Sequence, residues 1–224
     1  KLDGAVLLPP LSENAQLANI FTNASCQYVR IASVQLDKPA HLVQTYDRLG
    51  VNQIADHLVD LGHRQIGFIH GPKDSLSAME RYEGFKNALA AHNIKLSKKH
   101  VAWGAYTFES GAACAAQLLS NDDSRPTAIF ASNDEMALGA MVAAATLNIG
   151  VPAQLSIAGF DDEPHASKIY PSLTTVNQNV RKIGQLAAEK LVALCKNDPG
   201  QAAQVQTVVM PSLISRASTS PVRT

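Results

Sequence analysis

The chain has 224 residues, enough for one large domain or two small ones sharing a cleft. Its 19 Lys and Arg balance its 19 Asp and Glu, and zero formal charge removes the usual electrostatic footprint of a nucleic-acid or anionic-membrane surface. Cys26, Cys114 and Cys195 are odd in number, far apart and without a CxxC pair, which argues against a disulfide framework or a zinc site and for a reducing cytoplasm.

No apolar run approaches the ~20 residues of a membrane span, and no signal peptide is visible. The chain opens inside a strand-like run with no initiator Met, so its true N-terminus is expected to lie upstream.

Short apolar runs alternate with longer stretches of helical period. "DGAVLLPP" (3–10) predicts a strand, and Ser12 is placed to cap the amphipathic "ENAQLANIFTNA" (13–24). "QYVRIAS" (27–33) predicts a second strand, followed by an irregular polar segment around Pro39. In "RLGVNQIADHLVDLG" (48–62), Leu49, Ile54, Leu58 and Leu61 share one helical face and Gly62 suits the C-terminal cap. Strands are then predicted over 64–71, 100–106, 127–132 and 155–161, and helices over 77–93, 108–120 and 134–148. After residue 173 the rhythm changes: "TTVNQN" is a strand-like link, 180–197 a long helix and 206–218 a last strand.

Strands that are continuously apolar, alternating with helices, predict an α/β fold with parallel sheets flanked by helices on both faces. In such open sheets ligands bind beyond the carboxyl ends of the strands. That rule selects Ser33, Gly71-Pro72, Tyr106, Ser132-Asn133-Asp134 and Asp161-Asp162. The last pair poses the sharpest question. "SIAGFDD" delivers two adjacent carboxylates to the end of a buried strand, either to cap the turn at 163–169 or to meet a ligand.

"HLVDLGHRQIGFIHGP", "SAMERYEGF", "RPTAIFASNDEMALGAM", "VPAQLSIAGFDDEP" and "PSLTTVNQN" resemble, in order and spacing, the effector-binding core of lactose-repressor-type (LacI/GalR) transcription regulators. The resemblance covers 3–218. It implies a two-lobed, periplasmic-binding-protein-like fold with three crossovers near 46–48, 173–175 and 198–206 and a small effector in the cleft. The expected lobes are 1–46 with 175–198, and 47–174 with 199–218, leaving 219–224 as a tail. The family's N-terminal DNA-binding head and the first two βα units of its first lobe have no counterpart here, so that lobe is expected to be partial.

A sugar site needs fixed acceptors, fixed donors and an apolar plate. Asp161 matches the family's sugar-binding aspartate in "GFDD", with its own reading as a cap kept open. Arg81 offers two parallel donors, against a surface ion pair with Glu80, Glu83 or Asp74. The resemblance points to Asn133 as a contact able to donate and accept, and leaves Asp134 to capping. Gln178 matches a cleft residue in the crossover, Asp47 a family acid in a "D-R" context, and Tyr106 the position of an aromatic plate. Trp103 and Phe108 are the alternative plates.

His57 and His63 do not share a helix face, no HExxH occurs, and no metal or cofactor is expected. Neither a GxSxG turn, a Gly-rich phosphate loop nor a Cys–His pairing suggests catalysis, and no spacing selects a pair of glycosidase carboxylates. The expected function is non-enzymatic: effector sensing, of a mono- or disaccharide, by a cytoplasmic homodimeric regulator that reaches operator DNA through its head. The alternative is a periplasmic sugar-binding protein of an uptake system.

Overall fold

The structure is a computed structural model that describes residues 2–120, 125–205 and 208–222. Two separate parallel sheets carry it. The first runs β1 (Gly4–Leu7), β2 (Gln27–Ala32) and β3 (Leu42–Gln44) in that order. The second is built from β4 (Ile66–His70), β5 (Val101–Trp103), β6 (Ala128–Ala131) and β7 (Ser156–Ala158), in the order β5-β4-β6-β7. A two-stranded antiparallel ribbon, β8 (Thr175–Asn177) with β9 (Ser212–Ile214), completes the strands.

The second sheet is covered on both faces, and for that reason its strands read as unbroken apolar runs: every residue of β4 and β6 is buried. On one side α4 (Phe108–Leu119) and α5 (Asp134–Thr146) pack with Ile69, Ile129 and Ile157. On the other, α2 (Asp47–Asp60) and α3 (Leu76–Ala91) cover Phe68 and Phe130, which cluster with Phe85 of α3 at ring-centroid distances of 4.9–5.6 Å. Helices α4 and α5 approach so closely that a Cβ at Gly111 or Gly139 would run into the backbone of Met136 or Phe108.

Around the first sheet, Val29, Ile31 and Val43 pack with Ile183, Leu186 and Leu194 of α6 (Val180–Cys195). Helix α1 (Ala15–Asn23) buries none of its residues, and Leu8, Leu11 and Ile20 stay exposed. Arg30 points inward from β2, where its Nη1 donates to the Ser12 carbonyl at 2.6 Å and its Nε faces Asp37 at 3.0 Å.

Several elements differ from expectation. Asn14, not Ser12, caps α1: its side chain accepts from Gln16 N at 2.8 Å, while Ser12 is buried in a 3-10 turn, Leu11–Glu13. The irregular polar segment contains β3, too short to leave a periodic signal, and the last strand shrinks to Ser212–Ile214, with 206–207 outside the described residues. Gly62 lies just past α2 with φ +89°, the left-handed position its sequence context suggested.

Near the expected lobe limits the chain packs against both sheets. β8 pairs with β9, and Thr174 and Asn177 bridge to Ala158 and Asp161, so 174–177 extends the second sheet. Helix α7 (Pro199–Gln204), capped by Asp198, instead packs with the first sheet, burying Ala202 beside Val29 and Val209. The terminal segment is no loose tail: His57 meets Thr219, His63 meets Ser220 and Val222 N donates to Leu61 O.

Candidate functional site

The carboxyl ends of both sheets open onto one cleft of about 740 Å³, a size that suits a small ligand. Its walls include Pro9, Pro10, Glu13 and Asn14 from the first sheet's side and Pro72, Asp74, Ser75, Ser77, Arg81, Tyr106, Asn133 and Asp161 from the second.

Arg81 is its electrostatic centre. Ser75 caps α3, and nearly two turns further along Arg81 lies buried beneath the cleft. Its Nε donates to Asp47 Oδ2 at 2.7 Å, its Nη1 to the Ser132 carbonyl at 2.5 Å, and its Nη2 lies 3.3 Å from Asp161 Oδ1. The guanidinium also sits 4.0 Å above the Phe160 ring. Burial would lower its pKa, but Asp161 and Asp47 outweigh burial and hold it charged. None of the surface acids takes the pairing: Glu80 bonds Arg48 at 2.6 and 2.8 Å, and Glu83 bonds Lys86.

The question of the two acids resolves by geometry. Asp161 (φ +112°) and Asp162 (φ +54°) both occupy strained, left-handed backbone, which sends their side chains apart. Asp162 turns away to Arg216 Nη2 at 2.5 Å and Asn177 Nδ2 at 2.7 Å. Asp161 faces the cleft with its side chain 24% exposed, and Gln178 Nε2 donates to its Oδ1 at 2.6 Å. It caps nothing; the backbone N–H of Glu163 donates instead to Asp134 Oδ2 at 2.8 Å. Burial raises the Asp161 carboxyl to about 6, against the lowering pull of Arg81 and Gln178. Buried Asp134, which also accepts from Thr175 Oγ1 at 2.6 Å, is raised by burial to about 7.

The other expected contacts fall into two layers. Tyr106 (φ +61°) lines the cleft with its ring against Gly71, where a Cβ would meet it at 2.5 Å. Its hydroxyl is buried, which raises its pKa, with Arg81 and the Ser75 side chain pulling the other way. The alternative plates stand elsewhere: Trp103 stacks on His70 at 4.0 Å, and Phe108 lines an apolar groove on the far side of α4 and α5. Asn133 lines the cleft but is chiefly a cap. Its Oδ1 accepts from Met136 N at 3.0 Å and its Nδ2 donates to Tyr106 O at 3.1 Å, leaving one amide N–H for anything in the cleft. Asp47 and Gln178 lie outside the lining, behind Arg81 and Asp161 respectively.

Beyond Ser33, sequence reasoning missed the first sheet's contribution. Glu13 reaches across to α3, accepting from Leu76 N, Ser77 N and Ser77 Oγ, and Ser33 Oγ lies 3.4 Å from Ser77 Oγ. The strand-end rule could have found Glu13, six residues past β1, had the intervening Pro9-Pro10 turn been counted as part of that end. Among the described residues no group of three or more His, Cys, Asp or Glu is placed to hold a metal ion, and no helix is long and apolar enough to cross a membrane.

Comparison with known proteins agrees with this architecture. Residues 55–219 match the periplasmic binding protein-like domain family. The chain is 34% identical over 169 residues to the probable HTH-type transcriptional repressor ExuR of Bacillus subtilis, covering 75% of this chain and 50% of that protein. It therefore spans about half the length of that curated relative. A regulatory protein of the LacI family from Chloroflexus aggregans superposes with a TM-score of 0.85 at 30% identity, over 97% of this chain and 76% of that one. The lac repressor dimer bound to operator and the anti-inducer ONPF superposes with a TM-score of 0.82 at 30% identity, over 97% and 74%. The chain belongs to the LacI/GalR family of transcription regulators and carries their effector-binding, periplasmic-binding-protein-like core.

Proposed function

We propose that this core senses a mono- or disaccharide and passes its occupancy to operator DNA through a DNA-binding head upstream, in a cytoplasmic homodimer. The observation that carries the sugar reading is the Arg81–Asp161 pair under the cleft. Asp161 Oδ1 is committed to Gln178 and Arg81, which leaves Oδ2 to accept from ligand hydroxyls. The spare Asn133 N–H adds a donor beside that acceptor, a pairing suited to a polyol. Asp47 and Gln178 position the pair and do not touch the ligand.

The lobes we propose are 2–46 with 179–209, and 47–178 with 210–222, following the two sheets and their cores. Effector binding favours one arrangement of the lobes, and heads that differ in operator affinity between arrangements are then coupled to it reciprocally. A coupling of ~1–3 kcal/mol is typical, which a few hydrogen bonds formed in one arrangement supply. The repressor relatives favour this reading over periplasmic uptake and over catalysis.

A thermal-unfolding panel of mono- and disaccharides, with purines as a separate arm, tests it. Saturation at a hundred times Kd adds ~2.7 kcal/mol to the unfolding free energy. A shift from a nucleobase alone would sink the sugar reading and leave the regulator reading standing.

A further inference from the structure

The 3-10 turn Leu11–Glu13 of the first sheet's side and the N-terminus of α3 on the second meet across the cleft. Glu13 makes the junction: its Oε2 accepts from Leu76 N at 2.8 Å, and its Oε1 accepts from Ser77 N at 2.9 Å and Ser77 Oγ at 2.5 Å. Two backbone N–H groups of a first helical turn and a hydroxyl converging on a carboxylate is the geometry by which helix N-termini hold anions. Here the anion belongs to the protein. The other charged side chains on the cleft walls are Asp74, Asp161 and Arg81. Arg81 is already engaged with Asp47, Asp161 and the Ser132 carbonyl. The cleft thus presents three carboxylates to one guanidinium whose charge is already shared between Asp47 and Asp161.

We infer that Glu13 determines the charge class of the effector: it fills the α3 N-terminus as a built-in anion, ties the two sheets together across the cleft, and admits uncharged or cationic molecules while refusing anionic ones. The inference rests on reading the cleft as the effector site and narrows it to neutral or amino sugars, against sugar acids and sugar phosphates. An incoming carboxylate or phosphate must displace Glu13 or settle near it and Asp161, where like charges in partly buried surroundings repel. A hydroxyl meets no such barrier, because it can donate to lone pairs that both carboxylates still hold.

The test uses the 224-residue chain, Glu13→Gln and Glu13→Ala, with inorganic phosphate, glucuronate, glucose and glucosamine as probes at constant ionic strength. Phosphate and glucuronate should leave the wild-type unfolding temperature unshifted, and should bind each variant more tightly by on the order of tenfold. Hydrogen exchange at the Leu76 and Ser77 amides reads the junction without any ligand. It should be slow in the wild type, fast in Glu13→Ala, and slowed again in that variant by phosphate. Wild type that binds phosphate or glucuronate as tightly as the variants overturns the inference, and so does unchanged exchange in Glu13→Ala. If a neutral sugar binds but the variants gain no affinity for anions, the sugar reading survives and the role of Glu13 does not. If no sugar binds, the phosphate and exchange arms still decide Glu13 by themselves.

Discussion

Gln178 Nε2 lies 2.6 Å from Asp161 Oδ1, so the crossover segment after β8 and the carboxylate at the end of the second sheet share one hydrogen bond. Any movement of the crossover is felt at the cleft, and any change at Asp161 is felt by the crossover. Asp161→Asn changes the chemistry of this group without altering its size. An amide oxygen can still accept from Gln178 or Arg81, but the other position now donates, so a ligand hydroxyl that donated to Oδ2 loses its acceptor. An unsatisfied buried polar group costs ~1–3 kcal/mol. Titration with any sugar that stabilises the wild type should show affinity lower by roughly one to two powers of ten. Normal binding by the variant would move the site elsewhere.

Arg81→Ala should behave differently. The side chain is buried and holds Asp47, itself buried, together with the Ser132 carbonyl. Removing one partner of a buried ion pair leaves the other charge uncompensated, at a cost of about 3–5 kcal/mol. Denaturant unfolding of the ligand-free chain should therefore show a large loss, unlike Asp161→Asn. A variant as stable as wild type would mean that water or a rearranged Asp47 takes over the pairing.

The contrast between these two residues shows how far the sequence could be read. The α/β alternation and the parallel sheets were legible, because strands covered on both faces are unbroken apolar runs and their helices keep the 3.6 period. The ends of the second sheet's strands were legible too, since "GFDD" and "SND" mark them directly. The division of labour was not. Asp161 and Asp162 are separated only by backbone angles that no side-chain pattern announces, and Asn133, expected as a contact with Asp134 as the cap, is revealed as the cap only by Met136 N taking its oxygen. Glu13 was hidden because its partner, the α3 N-terminus, lies 63 residues away. The packing of 199–204 with the first sheet's core was not legible because α7 is a six-residue helix, too short for periodicity.

The crossing of α4 and α5 supplies a test of packing apart from the site. Gly139 faces the Phe108 carbonyl and Ala112 N so closely that a methyl group cannot enter without moving a helix. Gly139→Ala would raise intrinsic helix propensity, yet it should destabilise by ~1–3 kcal/mol, the usual cost of overpacking. A gain in stability would show that the helices separate freely.

The far side of the same helices carries an apolar groove lined by Phe108, Leu138, Met141, Val142, Ile169 and Tyr170. Val142 is half exposed and Tyr170 is 99% exposed. We expect a second copy to cover it, as two-fold pairing on a shared patch requires. Light scattering of the intact regulator at micromolar concentration should give twice the chain mass, and Val142→Glu should return it to one. A single-chain mass for the unmutated protein would rule the pairing out.

The last prediction concerns pH. Asp134 is raised by burial from 3.8 to about 7, and Asp161 to about 6. A raised carboxyl binds more protons folded than unfolded between its ordinary and its folded pKa, so over that window stability falls as pH rises. For Asp134 the window runs from about 4 to 7. Burial lowers His57, His63 and His70, and their contribution has the opposite sign: the unfolded chain binds the extra protons, so stability falls as pH drops through the ordinary histidine range. The wild-type profile is the sum of both and is uninformative alone. The difference between wild type and Asp134→Asn removes the shared histidine contribution. Asparagine can still accept from Thr175 or from Glu163 N through its one oxygen, but it cannot titrate. In denaturant unfolding from pH 4 to 8, wild type should therefore lose stability relative to Asp134→Asn as pH rises towards 7, and the gap should level off above it. A gap that is constant across the range would mean Asp134 is already ionised at pH 4, with Thr175 and the Glu163 N–H holding its charge more strongly than burial opposes it.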